Sequence, residues 1–161
     1  MARTSAPEAK SARSGFAKIL VGYDGSDQSS KALNMAKQIS KGNNAELLIM
    51  EVVGAPTYYF GDQPGAPQAD LSAYYEAAAK DAEKTIEGLV AKAQSEGVRA
   101  RGGVLNAETS PVNELLECAK QENVDLIVVG TRGMGGFRKM LLGSVSSGLV
   151  SHASCSVLVV R

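Results

Sequence analysis

Gly130-Thr131-Arg132-Gly133, followed after nine intervening residues by Gly143-Ser144, has the composition of an anion-binding loop. Glycines let backbone amides approach a ligand closely, because no side chain stands in the way. Amides at a helix start have no intrahelical partner, and the helix dipole adds partial positive charge there. Arg132, Arg138 and Lys139 lie in or near the same stretch. They form either a solvated face or a source of charge for a phosphate, for which a guanidinium offers a two-pronged donor. A second polar cluster, Asp24-Gly25-Ser26, follows an apolar run near the start of the chain. It reads as a turn with a helix cap, or as part of the same crevice.

Both clusters must be held by regular elements. Leu126-Ile127-Val128-Val129 directly precedes the glycine stretch and reads as a buried strand over 125–129. Ser144 opens a segment to His152 that reads as a helix. Upstream, 17–22 reads as the first strand, and Ser26 is a good N-cap for a helix ending near Lys41, with Gly42 and Asn43 as its stop. A second strand spans 45–53. A Gly/Pro-rich connection over 54–70 carries Tyr58-Tyr59-Phe60, and a long helix over 71–95 follows, with Ala82, Ile86, Leu89, Val90 and Ala93 at helical spacing. The third strand, 98–105, is weakened by Gly102-Gly103. Ser110-Pro111 starts a helix running to about Asn123. Ser156-Val157-Leu158-Val159-Val160 closes the chain as a fifth strand.

Strict β-α alternation with solidly apolar strands implies a parallel α/β sheet, doubly wound, with helices on both faces. In such sheets ligands sit beyond the carboxyl ends of the strands, where strand order reverses. The two polar clusters both occupy strand ends. If the first and fourth strands are neighbours at the reversal, the clusters share one crevice.

The chain of 161 residues fits one domain, over 16–161, preceded by a disordered tail over 1–15. Arg3, Lys10 and Arg13 give that tail a loose likeness to a transit peptide, against which Glu8 and its shortness count. Lys plus Arg (17) equals Asp plus Glu (17), which argues against a general nucleic-acid or anionic-membrane binder. With no Trp and 5% aromatic residues, stacking platforms for single strands are poorly supplied. No apolar run approaches the ~18 residues of a membrane span, so the expected compartment is the cytoplasm. Cys118 and Cys155 belong to no C-x-x-C pair and read as small apolar residues. His152 alone is too little for a zinc site, and reads as a residue suited to a helix C-terminal end.

Two common phosphate loops are excluded. No G-x-x-x-x-G-K-[ST] is present, and Lys139 stands four residues before Gly143, in the wrong place for one. Gly133 and Gly135 fit the first two places of a dinucleotide G-x-G-x-x-G, but Arg138 holds the third. The spacing G-x-x-G, nine residues, then G-[ST] is instead complete at Gly130, Gly133, Gly143 and Ser144. This resembles the ATP-binding motif of the universal stress protein family. Ile19-Leu20-Val21-Gly22-Tyr23-Asp24-Gly25-Ser26, Asp125-Leu126-Ile127-Val128-Val129-Gly130, Gly143-Ser144-Val145-Ser146 and Cys155-Ser156-Val157-Leu158-Val159-Val160 resemble other landmarks of that family. The resemblance covers 17–161.

It implies five strands in the order 3-2-1-4-5, with ATP lying across the first and fourth. Asp24 would lie by the ribose and adenine, and backbone groups of Val52 or Val53 at the adenine edge. Gly130, Gly133, Gly143 and Ser144 would hold ribose and phosphates, with Ser146 helping and Mg²⁺ on phosphate oxygens. Arg132, as a source of charge for a phosphate, and Val145 beside Ser144 complete the expected nucleotide-binding set. The nucleotide is ATP, ADP or AMP. The family further implies a homodimer through Val157, Leu158, Val159 and Val160, acting as a nucleotide-dependent regulator of the stress response through an unidentified protein partner. No catalytic residue and no protein metal ligand is assigned. Metal and charge would be at hand for slow ATP hydrolysis, yet no residue stands out as the water-positioning base. A dimeric module indifferent to nucleotide is a further alternative. Tyr58-Tyr59-Phe60 is a lid on the base or an exposed partner patch. Gly130 is expected to serve close approach to the ligand, so Gly130→Val is expected to weaken ATP binding and spare the fold.

Overall fold

The computed structural model describes residues 15–54, 69–107, 109–133 and 142–161, with side chains described throughout these ranges except over 69–72. Among the described residues nine elements alternate: β1 (Lys18–Gly22), α1 (Asp27–Asn43), β2 (Glu46–Val53), α2 (Ala69–Ser95), β3 (Arg99–Asn106), α3 (Pro111–Gln121), β4 (Leu126–Gly130), α4 (Ser144–His152) and β5 (Ser156–Val160). The five strands form one sheet in the order β3-β2-β1-β4-β5, and every pairing is parallel. The doubly wound α/β reading and its strand order are therefore correct. β1 pairs with β2 on one side (Val21↔Ile49) and with β4 on the other (Val21↔Val128). The order reverses between β1 and β4.

The hydrophobic alternation of the strands explains the two layers. Ile19, Val21, Leu47, Ile49 and Val128 face one side and pack with Leu33 and Ala36 of α1 and Ile86 and Ala93 of α2. Leu20, Leu48, Ile127 and Val129 face the other side and pack with Leu115 and Ala119 of α3 and Leu149 of α4. A period of two along each strand thus serves two cores at once.

Helix ends depart from the sequence reading by a few residues, for reasons of capping. α1 does not stop at Gly42 but runs through Asn43. Its stop is Asn44, which takes the left-handed conformation (φ 51°) and returns its N–H to the carbonyls of Ser40 and Lys41. Asparagine tolerates that conformation because its short polar side chain bonds locally. Asn123 (φ 54°) does the same just past α3. Gly102 explains the weak β3. A side chain there would strike the Ile49 carbonyl oxygen and come within 2.7 Å of Ile86 Cγ2. The glycine lets α2 lie close on the sheet, which outweighs its poor strand propensity.

At the amino ends of the strands, four charged side chains tie three strands to α3. Arg101 reaches Glu46 (2.6 Å) and Glu122 (2.5 Å), and Lys18 reaches the same two carboxylates (3.4 and 3.2 Å). Hydrogen bonds from Arg101 hold the Glu46 and Glu122 carboxyls below the ordinary carboxylate range, with Lys18 adding to the effect. A carboxyl lowered in the folded state contributes stability above its unfolded pKa, and that contribution is lost as pH falls through the folded value. Urea midpoints at pH 7 and pH 3 should therefore differ less in Arg101→Met than in the unaltered protein. An unchanged difference would show that the four-charge cluster has no part in acid unfolding.

Among the described residues, no helix is long and apolar enough to cross a membrane.

Candidate functional site

The reversal between β1 and β4 brings the two polar clusters together. β1 ends at Gly22, and Tyr23-Asp24-Gly25-Ser26 turns into α1. Gly25 supplies a positive φ of 81° that the turn requires. One oxygen of Asp24, Oδ1, accepts the Ser26 amide at 3.0 Å. Ser26 caps α1 by accepting from the Ser29 amide at 3.1 Å, and the Ser29 hydroxyl donates back to the Ser26 carbonyl at 2.9 Å. Asp24 is thus fixed by the helix start behind it. Its second oxygen, Oδ2, faces the α-carbon of Gly133 so closely that a Cβ on Gly133 would fall on it. The loops after β1 and β4 therefore meet, as the sequence reading required.

The glycine stretch divides into different tasks. Gly130 faces inward: a Cβ there would lie 2.7 Å from Gln28 Cβ and 2.8 Å from the Gln28 carbonyl carbon. It is glycine so that the first turn of α1 can rest on the end of β4. The expectation that Gly130→Val spares the fold is therefore corrected, since the missing side chain makes room for a helix. Thr131 is buried and acts as a hub. Its amide donates to the Val160 carbonyl of β5 (2.8 Å), while its carbonyl accepts from the Gly143 amide (2.7 Å) and from the Ser146 hydroxyl (3.0 Å). The two ends of the loop are closed on one carbonyl oxygen.

α4 begins at Gly143, whose φ and ψ (−76°, 170°) are those of an ordinary N-cap but which has no side chain to do the capping. α1 and α3, by contrast, are capped by Ser26 and Ser110. The first-turn amides of α4, at Ser144, Val145 and Ser146, therefore meet no side-chain acceptor at the cap. Ser144 is exposed and Val145 half-buried, whereas Ser146 is 2% exposed and its hydroxyl points into the protein. Among the side-chain nitrogens and oxygens of the described residues, only Ser40 Oγ and Arg132 Nε are buried without a hydrogen-bond partner. Ser40 lies near the far end of α1, whereas Arg132 stands between Thr131 and Gly133 at the strand exits.

β2 contributes backbone rather than side chains. The Tyr23 amide donates to the Met50 carbonyl (2.9 Å), and the Ala107 amide to the Val53 carbonyl (2.8 Å). Backbone groups of a strand alternate in direction, so Val52 points the same way as Met50, toward β1 and the reversal. The described hydrogen bonds between β1 and β2 end at Met50. Of the two valines, it is Val52 whose backbone faces the crevice, while Val53 is committed to the β3 side.

The sequence reading missed two groups here. Thr131 had no distinguishing mark beyond its place between the glycines. Glu51 did have one, as the only charge inside the apolar run from Leu47 to Val53. Burial, with the Asp24 charge adding to it, raises the Glu51 carboxyl above its ordinary range. Arg138, Lys139, Gly135, Gly136, Tyr58, Tyr59 and Phe60 lie outside the described residues.

The model of the universal stress protein family matches residues 15–161. The universal stress protein YxiE of Bacillus subtilis is 38% identical over 149 residues, spanning 91% of this chain and 99% of that protein. The structure of universal stress protein UspA from Lactobacillus plantarum superposes with a TM-score of 0.79 at 27% identity, covering 91% of this chain and 99% of the other. A universal stress protein solved in complex with cAMP superposes with a TM-score of 0.62 at 26% identity, covering 92% and 98%. By the family model over 15–161 and its 38% identity to YxiE, this chain belongs to the universal stress protein family.

Proposed function

We propose that the protein binds an adenine nucleotide, ATP in the first instance, in the crevice between the exits of β1 and β4. One observation carries this reading: α4 starts on an uncapped glycine at the β4 exit, beside an arginine whose Nε is buried without a partner. Both features offer N–H donors that an anion can satisfy. Gly133, Gly143, Ser144 and Val145 would surround the phosphates with Ser146 behind them, Arg132 would reach the phosphates, and Gly130 would set the loop's origin. Asp24 would accept from the ribose hydroxyls, and the Val52 backbone would take the adenine edge, with Val53 behind it. The relative solved with cAMP supports an adenine nucleotide as the ligand class.

Among the described residues, no three acidic, histidine or cysteine side chains gather in a way that could hold a metal ion. Mg²⁺, a hard cation that takes oxygen ligands, would be held by the phosphate oxygens. Residues 16–161 would act as one domain. Among the described residues β5 pairs with β4 alone, and a strand edge is a natural place for a second copy to add. A homodimer through Val157, Leu158, Val159 and Val160 would use that edge, and a further protein partner would read the nucleotide state in a cytoplasmic stress response.

Isothermal titration of the purified chain with ATP and Mg²⁺, paired with native mass spectrometry, tests both parts. The expected result is one nucleotide per chain and a dimeric mass. No heat and no retained nucleotide would leave only a nucleotide-independent dimeric module.

A further inference from the structure

An anion cradle built from main chain has an inherent difficulty. Every peptide that offers an amide also carries a carbonyl oxygen, and a carbonyl facing a phosphate repels it. Two carbonyls flank the start of α4 at the β4 exit, those of Thr131 and Gly143. Both are occupied. The Thr131 carbonyl accepts the Gly143 amide (2.7 Å) and the Ser146 hydroxyl (3.0 Å). The Gly143 carbonyl accepts the Ser147 amide (3.0 Å) and lies 3.1 Å from the same Ser146 hydroxyl. Ser146 is 2% exposed, and its single hydroxyl proton is shared between these two oxygens.

We infer that Ser146 is a positioning residue and not a phosphate ligand: its hydroxyl holds the Thr131 and Gly143 carbonyls away from the crevice. This deepens the proposed nucleotide site and rests on it. The buried Arg132 Nε without a partner, next to Thr131, is a second and independent sign that an acceptor belongs on that side. The clamp acts where negative charge sits, so its loss is felt by the phosphates and not by the nucleoside.

The test compares ATP, AMP and adenosine by isothermal titration on the full chain and on Ser146→Ala, Ser146→Thr and Ser146→Cys. Ser146→Ala should bind ATP and AMP about tenfold more weakly, the usual effect of one buried hydrogen bond to a constrained carbonyl, while adenosine affinity stays within about twofold. Ser146→Thr, which keeps a hydroxyl on the same carbon, should restore phosphate binding. Ser146→Cys, a weaker donor, should fall between and serves as the reading if Ser146→Ala does not fold. ATP affinity unchanged in Ser146→Ala, or an equal loss for adenosine, overturns the inference. No binding of any nucleotide by the unaltered protein overturns the proposed site itself, and this inference with it.

Discussion

Gly130→Val should lower the stability of the protein by about 3 kcal/mol, the upper part of the usual range for forcing atoms into a packed interior. The reason lies in what the new atoms would meet. The Cβ alone would sit 2.7 Å from Gln28 Cβ, 2.8 Å from the Gln28 carbonyl carbon and 3.0 Å from its oxygen. Two of these three atoms belong to the backbone in the first turn of α1, and a backbone cannot swing aside as a flexible side chain can. β4 cannot yield either, because it is hydrogen-bonded on one side to β1 and on the other to β5, with Gly130 itself in register with Val160. α1 is fixed at the same end by Ser26, Ser29 and the Asp24 turn. Thermal unfolding should show the effect as a Tm lower by about 6–12 °C for a domain of this size. A Tm within about 2 °C of the unaltered protein would mean that α1 does not bear on β4 in this way.

Fold and site were legible in the sequence to different depths. The fold was carried by features that repeat: five apolar runs separated by helical periodicity, each bounded by a glycine, asparagine or serine with a definite conformational use. Such a signal survives errors of a residue or two, which is why α1 could be ended at Lys41 and the topology still be right. The single-residue roles at the site were less legible, because they depend on which atoms meet across the sheet. Gly130 and Gly133 stand three apart in one motif, yet one faces the helix α1 and the other faces Asp24. Nothing in their type separates them. The choice between Val52 and Val53 likewise turned on strand register, through the Tyr23–Met50 and Val53–Ala107 hydrogen bonds. Ser146 looked like a ligand from its place in the motif, but the helix turns its hydroxyl inward. Glu51 could have been noticed from its isolation among apolar neighbours. Its proximity to Asp24 could not, since it arises from the β1–β2 pairing.

Gly133→Val, in contrast, should reduce ATP affinity by about 100-fold, or about 2.7 kcal/mol, while leaving Tm within about 2 °C. Gly133 is exposed, so relief of a clash there need not disturb either core. The Cβ would fall on Asp24 Oδ2, so either Gly133 shifts or Asp24 gives up the Ser26 amide that its Oδ1 holds at 3.0 Å. Displacing Gly133 drags Arg132 with it and separates the two walls of the crevice. A ligand spanning both walls then loses the geometry that let it touch both, and misplacement of this order costs far more in binding than in folding. The two positions should also be coupled. Asp24→Ala removes the atom that Gly133→Val collides with, so the double variant should bind ATP no more weakly than Asp24→Ala alone. Additive losses would show that Asp24 and Gly133 contact the nucleotide independently. ATP binding at full strength in Gly133→Val would place the nucleotide elsewhere on the protein. Beside Gly130→Val, the pair separates two demands of the motif, since one glycine makes room for a helix and the other for the Asp24 carboxylate.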